Sequence, residues 1–450
     1  MPSISAISKV DFPHKLDQKF VKEYVRNMFA DDFPLVERLI DAFDNTEIKQ
    51  RNFCEPLSYY DQHHSFHDHN LEYIRISLEY SIKAIEDVLQ KAELSKNDIT
   101  DIIFVSTTGL ATPSLDALII NSMRLNPNIN RIPIWGLGCA AGVSAVAKAN
   151  IIGKVNPDAV ILIVAVELCS LTFLRNDFSK SNFIASSLFS DGIAACIIRG
   201  DNHQPARKLK VLSSKSKLYY DHLNVMGWDF LDSGFKVIFS KDIPTIIHSH
   251  VKDDITMFLA ENNLTLNDIK NFIFHPGGKK VLTAYEESLE ICSEKIKNTR
   301  ETMNDYGNMS SGTVLYVLEK FLRQGFEDGY GLMLAVGPGF SSEMVLLDMK
   351  KLMDFLIFIS VFILQRLSEL FVAKKNEKWL RAAGAREYGQ GHYRFIVLLH
   401  VFFILSMIGE YLVKTDVRID YLFCGAFRLI DHSKNLGYYL SWKILEYKNP

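Results

Sequence analysis

The sequence predicts a layered α/β fold built from two similar halves, followed by a mainly helical apolar tail, and three observations carry that expectation. First, short apolar runs alternate with helical patterns over the first 350 residues: Ile102–Ser106, Ile132–Gly136, Ala159–Val166, Ala194–Ile198, Phe272–Phe274 and Gly331–Val336. Near-continuous Val, Ile and Leu mark strands covered on both faces, and the helical segments between them supply the cover. Second, part of the pattern occurs twice. Leu94-Ser-Lys-Asn-Asp98-Ile99-Thr-Asp-Ile-Ile-Phe104 aligns without a gap with Leu264-Thr-Leu-Asn-Asp268-Ile269-Lys-Asn-Phe-Ile-Phe274. Farther along, Gly138-Cys139-Ala-Ala-Gly142-Val143 lines up with Gly307-Asn308-Met-Ser-Ser-Gly312-Thr313. In each half a strand leads into a Gly-rich turn and a helix of small residues, which predicts two halves related by a pseudo-twofold axis. Third, the composition shifts near residue 350. Two longer apolar stretches follow, Met353–Val372 and Phe395–Val413, each long enough to cross a bilayer at about 1.5 Å per residue.

Composition bounds the answer. With 450 residues, 48% hydrophobic and 23% charged, the chain is no disordered, collagen-like or low-complexity protein. At roughly 150 residues per domain, two or three domains fit. The expected divisions are 1–200 and 201–350 for the two halves and 351–450 for the tail. A net charge of −3 gives no reason to expect nucleic acid. Six cysteines without paired spacing fit neither a disulfide framework nor a zinc site. Met1–Lys9 lacks the apolar core of a secretory signal, so a reducing cytosol is expected.

The duplication then singles out three reactive residues. Cys139 follows the predicted strand Ile132–Trp135 and opens the predicted helix Ala140–Asn150. A thiol at a helix N-terminus feels the positive end of the dipole, which predicts a lowered pKa and a nucleophile; a buried structural cysteine is the alternative. Val105 ends the first repeated strand, and His275 stands at the matching place in the second half, in Phe274-His275-Pro276-Gly277-Gly278. An imidazole there can pair with a thiol or donate to an oxyanion; a core histidine is the alternative. Asn308 stands where the first half has Cys139. It offers a neutral donor, or simply an N-cap for a helix starting near Met309. Together the three can hold an acyl thioester and stabilise a developing enolate.

At this point a family resemblance appears. Gly138-Cys139-Ala-Ala-Gly, His275-Pro-Gly-Gly, Tyr306-Gly-Asn308-Met-Ser-Ser and Val336-Gly337-Pro338-Gly339 resemble the signatures of type III polyketide synthases, the chalcone synthase-like enzymes of the thiolase fold. Leu188-Phe189-Ser-Asp191-Gly192 and Ser106-Thr-Thr-Gly do so as well, and the likeness runs from about residue 8 to 349. It implies a duplicated αβαβα thiolase-like fold and a decarboxylative condensation of malonyl-CoA onto an acyl-CoA starter, with no tightly bound cofactor. Cys139 would take the acyl group, and His275 and Asn308 would bind the malonyl thioester and its enolate. Phe189 matches the family's gatekeeper between the CoA tunnel and the cavity. Arg38 and Lys280 match CoA-contacting positions, although two other basic positions on that helix are here Asp41 and Asn45. Cys169, Thr172, Ala185, Trp228, Val237 and Ser310 match cavity-lining positions, and Gly337, Pro338 and Gly339 form the family's Gly-Pro-Gly loop. The small and apolar members suit a long-chain starter and an alkylpyrone- or alkylresorcinol-type product. The family also implies a homodimer.

Two segments lie apart from this set. His63, His64, His67 and His69 are dense, but their spacing fits no standard metal pattern, and a polar loop before a helix at Leu71–Lys91 is expected. No metal is expected at any site. The tail resembles the N-terminal part of membrane methyltransferases of the isoprenylcysteine carboxyl methyltransferase family. The residues that carry this are Gln365-Arg366-Leu-Ser-Glu369-Leu, Lys374-Lys-Asn376-Glu377-Lys-Trp379-Leu, Gly384-Ala-Arg-Glu387-Tyr, His392-Tyr393 and His400. That family's cofactor segment, Arg-His-Pro-Asn-Tyr, survives only as His432 within Phe427–Gly437, so a shortened remnant that does not bind S-adenosylmethionine is expected. Arg366 and Glu369 interrupt the first apolar stretch. The basic loop Lys374–Arg394 would stay cytoplasmic. A cytosolic synthase held at the inner face of a membrane by a shallow hairpin or in-plane helix over 353–413 reconciles these features.

Other readings of the Cys, His and Asn set are a ketoacyl-acyl-carrier-protein synthase of the same fold, a bifunctional synthase-methyltransferase, and a papain-like cysteine peptidase. A membrane-tethered scaffold is the non-enzymatic reading.

Overall fold

The structure, a computed structural model, describes residues 1–30, 36–203, 209–349, 353–384, 398–399 and 401–408, with side chains in the last long helix from residue 359 onward. It divides into two units, Met1–Lys351 and Leu352–Pro450. Both predicted halves fall inside the first unit.

A nine-stranded sheet runs through that unit in the order Ile269–Phe274, Tyr330–Gly337, Ser341–Asp348, Leu209–Leu218, Ser3–Lys9, Asp191–Arg199, Val160–Leu168, Asp101–Val105, Asn130–Ile134. Its seam is short: Ser3 pairs with Lys210 and Ile4 with Leu209, antiparallel. Outward from the seam the two sides repeat. Ser3–Lys9 lies antiparallel to Asp191–Arg199, as Leu209–Leu218 does to Ser341–Asp348. The next neighbours, Val160–Leu168 and Tyr330–Gly337, are again antiparallel. Asp101–Val105 and Ile269–Phe274 then close the series in parallel. The duplication seen in the sequence is thus a duplication of topology.

The departure is Asn130–Ile134, a parallel edge strand with no counterpart in the second half among the described residues. The sequence reading put a strand covered on both faces at Ile132–Gly136. The observed strand starts two residues earlier, and Asn130, Arg131 and Pro133 are exposed. A proline that cannot donate to a ladder is tolerated at such an edge.

Alternation along the buried strands sorts side chains into layers. Ile161, Ile163 and Ala165, with Ile103, Val105, Met333, Ala335, Val345 and Leu347, face a central core. That core is filled by the helices Ala141–Val155 and Thr313–Gln324, through Ala145, Val146, Ala149, Val314, Val317 and Leu318. The other faces carry Leu162, Val164 and Phe104 toward the helix Phe66–Ala92, and Phe272, Leu334 and Leu346 toward the helix Lys279–Leu289. The result is five layers, αβαβα. Helix Phe66–Ala92 begins five residues before the expected Leu71, because Ser65 and Asp68 form a capping box across its first turn. His67 and His69 therefore sit on helix and not in a loop.

The second unit contains the helix Met353–Ala382, thirty residues long. It exposes Val361, Leu364, Leu367 and Phe371. Arg366 pairs with Glu369 at 2.6 Å, and Phe362 meets Phe403 at 6.4 Å between ring centroids. Among the described residues no helix is long and apolar enough to cross a membrane. The motifs after Gly384, including His392-Tyr393, His400 and Phe427–Gly437, lie outside the described residues.

Candidate active site

Cys139 lies in a 3-10 turn, Gly138–Ala140, that runs directly into the central helix Ala141–Val155. Ser310 lies in the equivalent turn of the second half, Ser310–Gly312, which runs into Thr313–Gln324. The two turns meet: Cys139 Sγ is 3.8 Å from Ser310 Oγ. This approach depends on glycine at 142, where a Cβ would come within 2.3 Å of the Ser311 carbonyl oxygen. Gly337 is held as closely, with a would-be Cβ at 2.4 Å from the Leu137 carbonyl, and Pro338 abuts Gly138. The Gly337-Pro338-Gly339 loop thus braces the Cys139 turn from behind.

Asn308 joins the set through its backbone and its amide. Its N–H donates to Leu188 O and its carbonyl accepts from Ser190 N–H, both at 2.9 Å, in an isolated parallel bridge with Phe189. Oδ1 accepts from Ser310 N–H at 2.9 Å and Nδ2 donates to Gly277 O at 2.9 Å. Those two bonds orient the amide and leave one Nδ2 hydrogen unspent. Asn308 is not an N-cap: its Oδ1 bond to Ser310 N–H is an Asx turn, the N-cap position of Ser310–Gly312 is Met309 with no side-chain cap bond, and the helix proper starts at Thr313.

His275 follows the strand Ile269–Phe274 and its backbone N–H donates to Leu334 O at 2.8 Å. The side chain is buried, and neither ring nitrogen has a hydrogen-bond partner. Burial pushes its pKa down to about 3, so the ring is neutral and keeps one donor and one acceptor free. A buried polar group left open in this way is what a ligand site requires.

The lowered thiol pKa expected at Cys139 is not found. Burial pushes it up to about 12, Ser310 Oγ lowers it somewhat, and the Glu167 carboxyl raises it further. The helix dipole acts, but a desolvated thiolate with no cation beside it costs more than the dipole returns.

Glu167 was missed by the sequence reading. It is buried on the strand Val160–Leu168 and accepts from Thr107 N–H at 3.2 Å, Thr107 Oγ1 at 3.1 Å and Ser311 Oγ at 2.5 Å. Burial raises its pKa to about 7 against the lowering effect of these bonds. The available signal was a lone acid at the penultimate position of an apolar strand.

Beside these residues a cavity opens, with about 660 Å³ of empty space counting its mouth. Cys169, Thr172, Ala185, Phe189, Trp228 and Val237 line it, with apolar Val21, Val25, Leu57, Phe173 and Phe235 and one arginine, Arg51. Ser310, expected in this lining, instead faces Cys139. Arg38 and Lys280 are exposed and do not line the cavity. Asp41 lies 3.9 Å from Lys22. His63, His64 and His69 line a second, polar cavity, where His64 stacks on Tyr59 at 3.9 Å. Among the described residues no group of three or more His, Cys, Asp or Glu is placed to hold a metal.

The N-terminal domain model of chalcone and stilbene synthases matches residues 4–202, and the C-terminal domain model matches 212–350. The chain belongs to the chalcone and stilbene synthase family. A Bacillus subtilis (strain 168) protein described as a chalcone synthase is 42% identical over 350 residues, which is 75% of this chain and 96% of that one. The 1,3,6,8-tetrahydroxynaphthalene synthase of Streptomyces peucetius subsp. caesius is 32% identical, over 77% of this chain and 92% of its own. The crystal structure of the Streptomyces coelicolor A3(2) 1,3,6,8-tetrahydroxynaphthalene synthase, a bacterial type III polyketide synthase, superposes with a TM-score of 0.74. It is 29% identical and covers 78% of this chain and 100% of its own. This chalcone synthase-like chain is therefore a type III polyketide synthase, an acyltransferase of a family that uses CoA thioesters and needs no tightly bound cofactor. Members of the family take malonyl-CoA and acyl-CoA and typically form homodimers. The matched models end at residue 350, at the boundary of the second unit.

Proposed function

We propose that this synthase condenses malonyl-CoA onto a long-chain acyl-CoA through Cys139, with His275 and Asn308 as the decarboxylation pair, giving an alkylpyrone- or alkylresorcinol-type product. The observation that supports it most is the unspent hydrogen-bonding capacity of His275 and Asn308, the latter linked through Ser310 to the Cys139 thiol, beside an apolar cavity. The Cys139 thiol adds to the starter carbonyl and gives its proton to the free ring nitrogen of His275. The carbon–sulfur bond to CoA breaks, and the leaving thiolate takes that proton. Malonyl-CoA then loses carbon dioxide. The electron pair of the broken carbon–carbon bond becomes an enolate, whose oxygen takes the His275 N–H and the free Nδ2 hydrogen of Asn308. The enolate carbon attacks the Cys139 thioester and the carbon–sulfur bond breaks, leaving a β-ketoacyl-CoA and the Cys139 thiolate, which takes a proton from solvent by way of the His275 ring. Phe189 gates the cavity, while Arg38 and Lys280 contact CoA phosphates from the surface.

The test is labelled malonyl-CoA with acyl-CoAs of graded length and mass analysis of products. Long chains should be preferred. A product made from malonyl-CoA alone would overturn the long-chain assignment. His275→Ala and Asn308→Ala should each slow malonyl decarboxylation by about 100-fold, as loss of an oxyanion donor does. Rates near wild type in both would place the enolate elsewhere.

For the tail we propose a shortened methyltransferase-like segment that lies in the plane of the inner face of a membrane and binds no S-adenosylmethionine. The exposed apolar residues of helix Met353–Ala382, followed by Lys374, Lys375 and Lys378, support an interfacial role. Co-sedimentation of the full chain with anionic vesicles checks it, and equal recovery in the supernatant with and without vesicles would contradict it.

A further inference from the structure

Arg51 is the one charged residue among the described residues that line the apolar cavity. It is 1% exposed, so bulk solvent does not serve its guanidinium. Both Nη1 hydrogens are committed: they donate to Ser186 O at 2.6 Å and Phe189 O at 2.8 Å. Nε and Nη2 have no partner. A guanidinium carries five N–H donors, so one on Nε and two on Nη2 remain open. The nearest acid, Asp191, does not serve them. Its oxygens accept from Cys54 N–H, Ser170 N–H and Ser170 Oγ. The faces of Phe43 and Phe53, at 5.6 and 5.2 Å, hold the cation without supplying an acceptor.

Its position matters as much as its open donors. The carbonyls it holds belong to the segment ending at the gatekeeper Phe189, and Phe189 bridges to Asn308. Its stem lies against Gly307, where a Cβ would come within 3.0 Å of Arg51 Cγ. Gly307 has φ +75, a conformation that favours glycine. Arg51 therefore stands where the cavity meets the loop that carries Asn308. An unpartnered buried cation in an apolar cavity is costly unless a ligand oxygen completes it.

We propose that Arg51 anchors oxygen in this cavity: its free Nε and Nη2 hydrogens donate to keto or enolate oxygens of the chain growing from Cys139, so the cavity selects a β-polyketone over a bare hydrocarbon. The proposal rests on the condensing reading given above. No bond is made or broken at Arg51; it is a binding residue that favours each further extension by holding the oxygenated part of the chain.

The test compares the purified full chain with Arg51→Met and Arg51→Lys. Binding of an alkyl β-diketone is measured by calorimetry against binding of the alkane of equal length. Wild type should prefer the diketone by about tenfold, the order expected for a buried hydrogen bond to a charged donor. Arg51→Met should erase that preference and Arg51→Lys should restore part of it. In turnover, the ratio of triketide and longer products to diketide should fall by about tenfold in Arg51→Met. Equal binding of the two probes by wild type would overturn the proposal, and so would an undiminished preference in Arg51→Met. A proportional loss at every step with a lowered Tm would reduce Arg51 to a structural residue. A chain that prefers the diketone yet condenses nothing would refute the condensing reading and leave the anchor standing.

Discussion

Cys139 is a thiol whose surroundings oppose ionisation until substrate arrives. It is buried, its contact is the hydroxyl of Ser310, and the neighbouring carboxyl of Glu167 pushes its pKa up further. His275 is neutral and unpartnered, and in the proposed reaction it takes the proton only as the thiol adds to a carbonyl. Alkylation of Cys139 by iodoacetamide should therefore rise with pH and show no plateau near neutrality, and a midpoint below about pH 8 would contradict this account. Glu167→Gln removes a negative charge beside the thiol and should speed alkylation at a given pH. The same residue makes a stability prediction. Burial raises Glu167 to about 7, so the folded protein keeps a proton that the unfolded chain releases near 4.5. The stabilisation from that proton is complete below the unfolded value and is lost as pH rises through about 7. The Tm of Glu167→Gln relative to wild type should thus increase between about pH 5 and pH 8. A difference constant over that range would mean that Glu167 stays ionised in the fold.

At the scale of elements, the site exists because two equivalent turns, each opening a central helix, come into contact. Gly142 is the residue that permits it, with the Ser311 carbonyl 2.3 Å from where a Cβ would be. Gly142→Ala should push the turns apart, destabilise the fold by about 1–3 kcal/mol as overpacking does, and lower condensation further than a Tm loss explains. Wild-type activity and Tm together would show that the contact is not needed. Much of this architecture was legible in the sequence, for physical reasons. Strands buried on both faces must be apolar throughout, so Ala159–Val166 and Gly331–Val336 announced themselves. The turns repeated because close helix approach demands Gly and small residues in both halves. The edge strand Asn130–Ile134 was misplaced because an edge does not need cover. Arg51 stayed hidden because its burial comes from segments more than 130 residues away, at Ser186 and Phe189. The thiol pKa was misjudged because the dipole can be read from sequence while the depth of burial cannot.

For the whole molecule, the first unit contains both repeats, both central helices and every residue assigned to condensation. Its core closes on Met349, which is fully buried and donates its N–H to Gly329 O at 2.9 Å. A chain ending at Lys351 should therefore keep the Tm and the condensing rate of the full chain within about twofold, a difference under 0.5 kcal/mol. Loss of condensation on this truncation would show that residues beyond 351 complete the synthase. The central claim is that the acyl chain rides on Cys139. The most direct measurement is the mass of the full chain after incubation with a long-chain acyl-CoA in the absence of malonyl-CoA, with the modified peptide mapped. One acyl group on the peptide that contains Cys139, missing from Cys139→Ala, is the predicted result; an acyl group on another residue, or one that persists in Cys139→Ala, would contradict it.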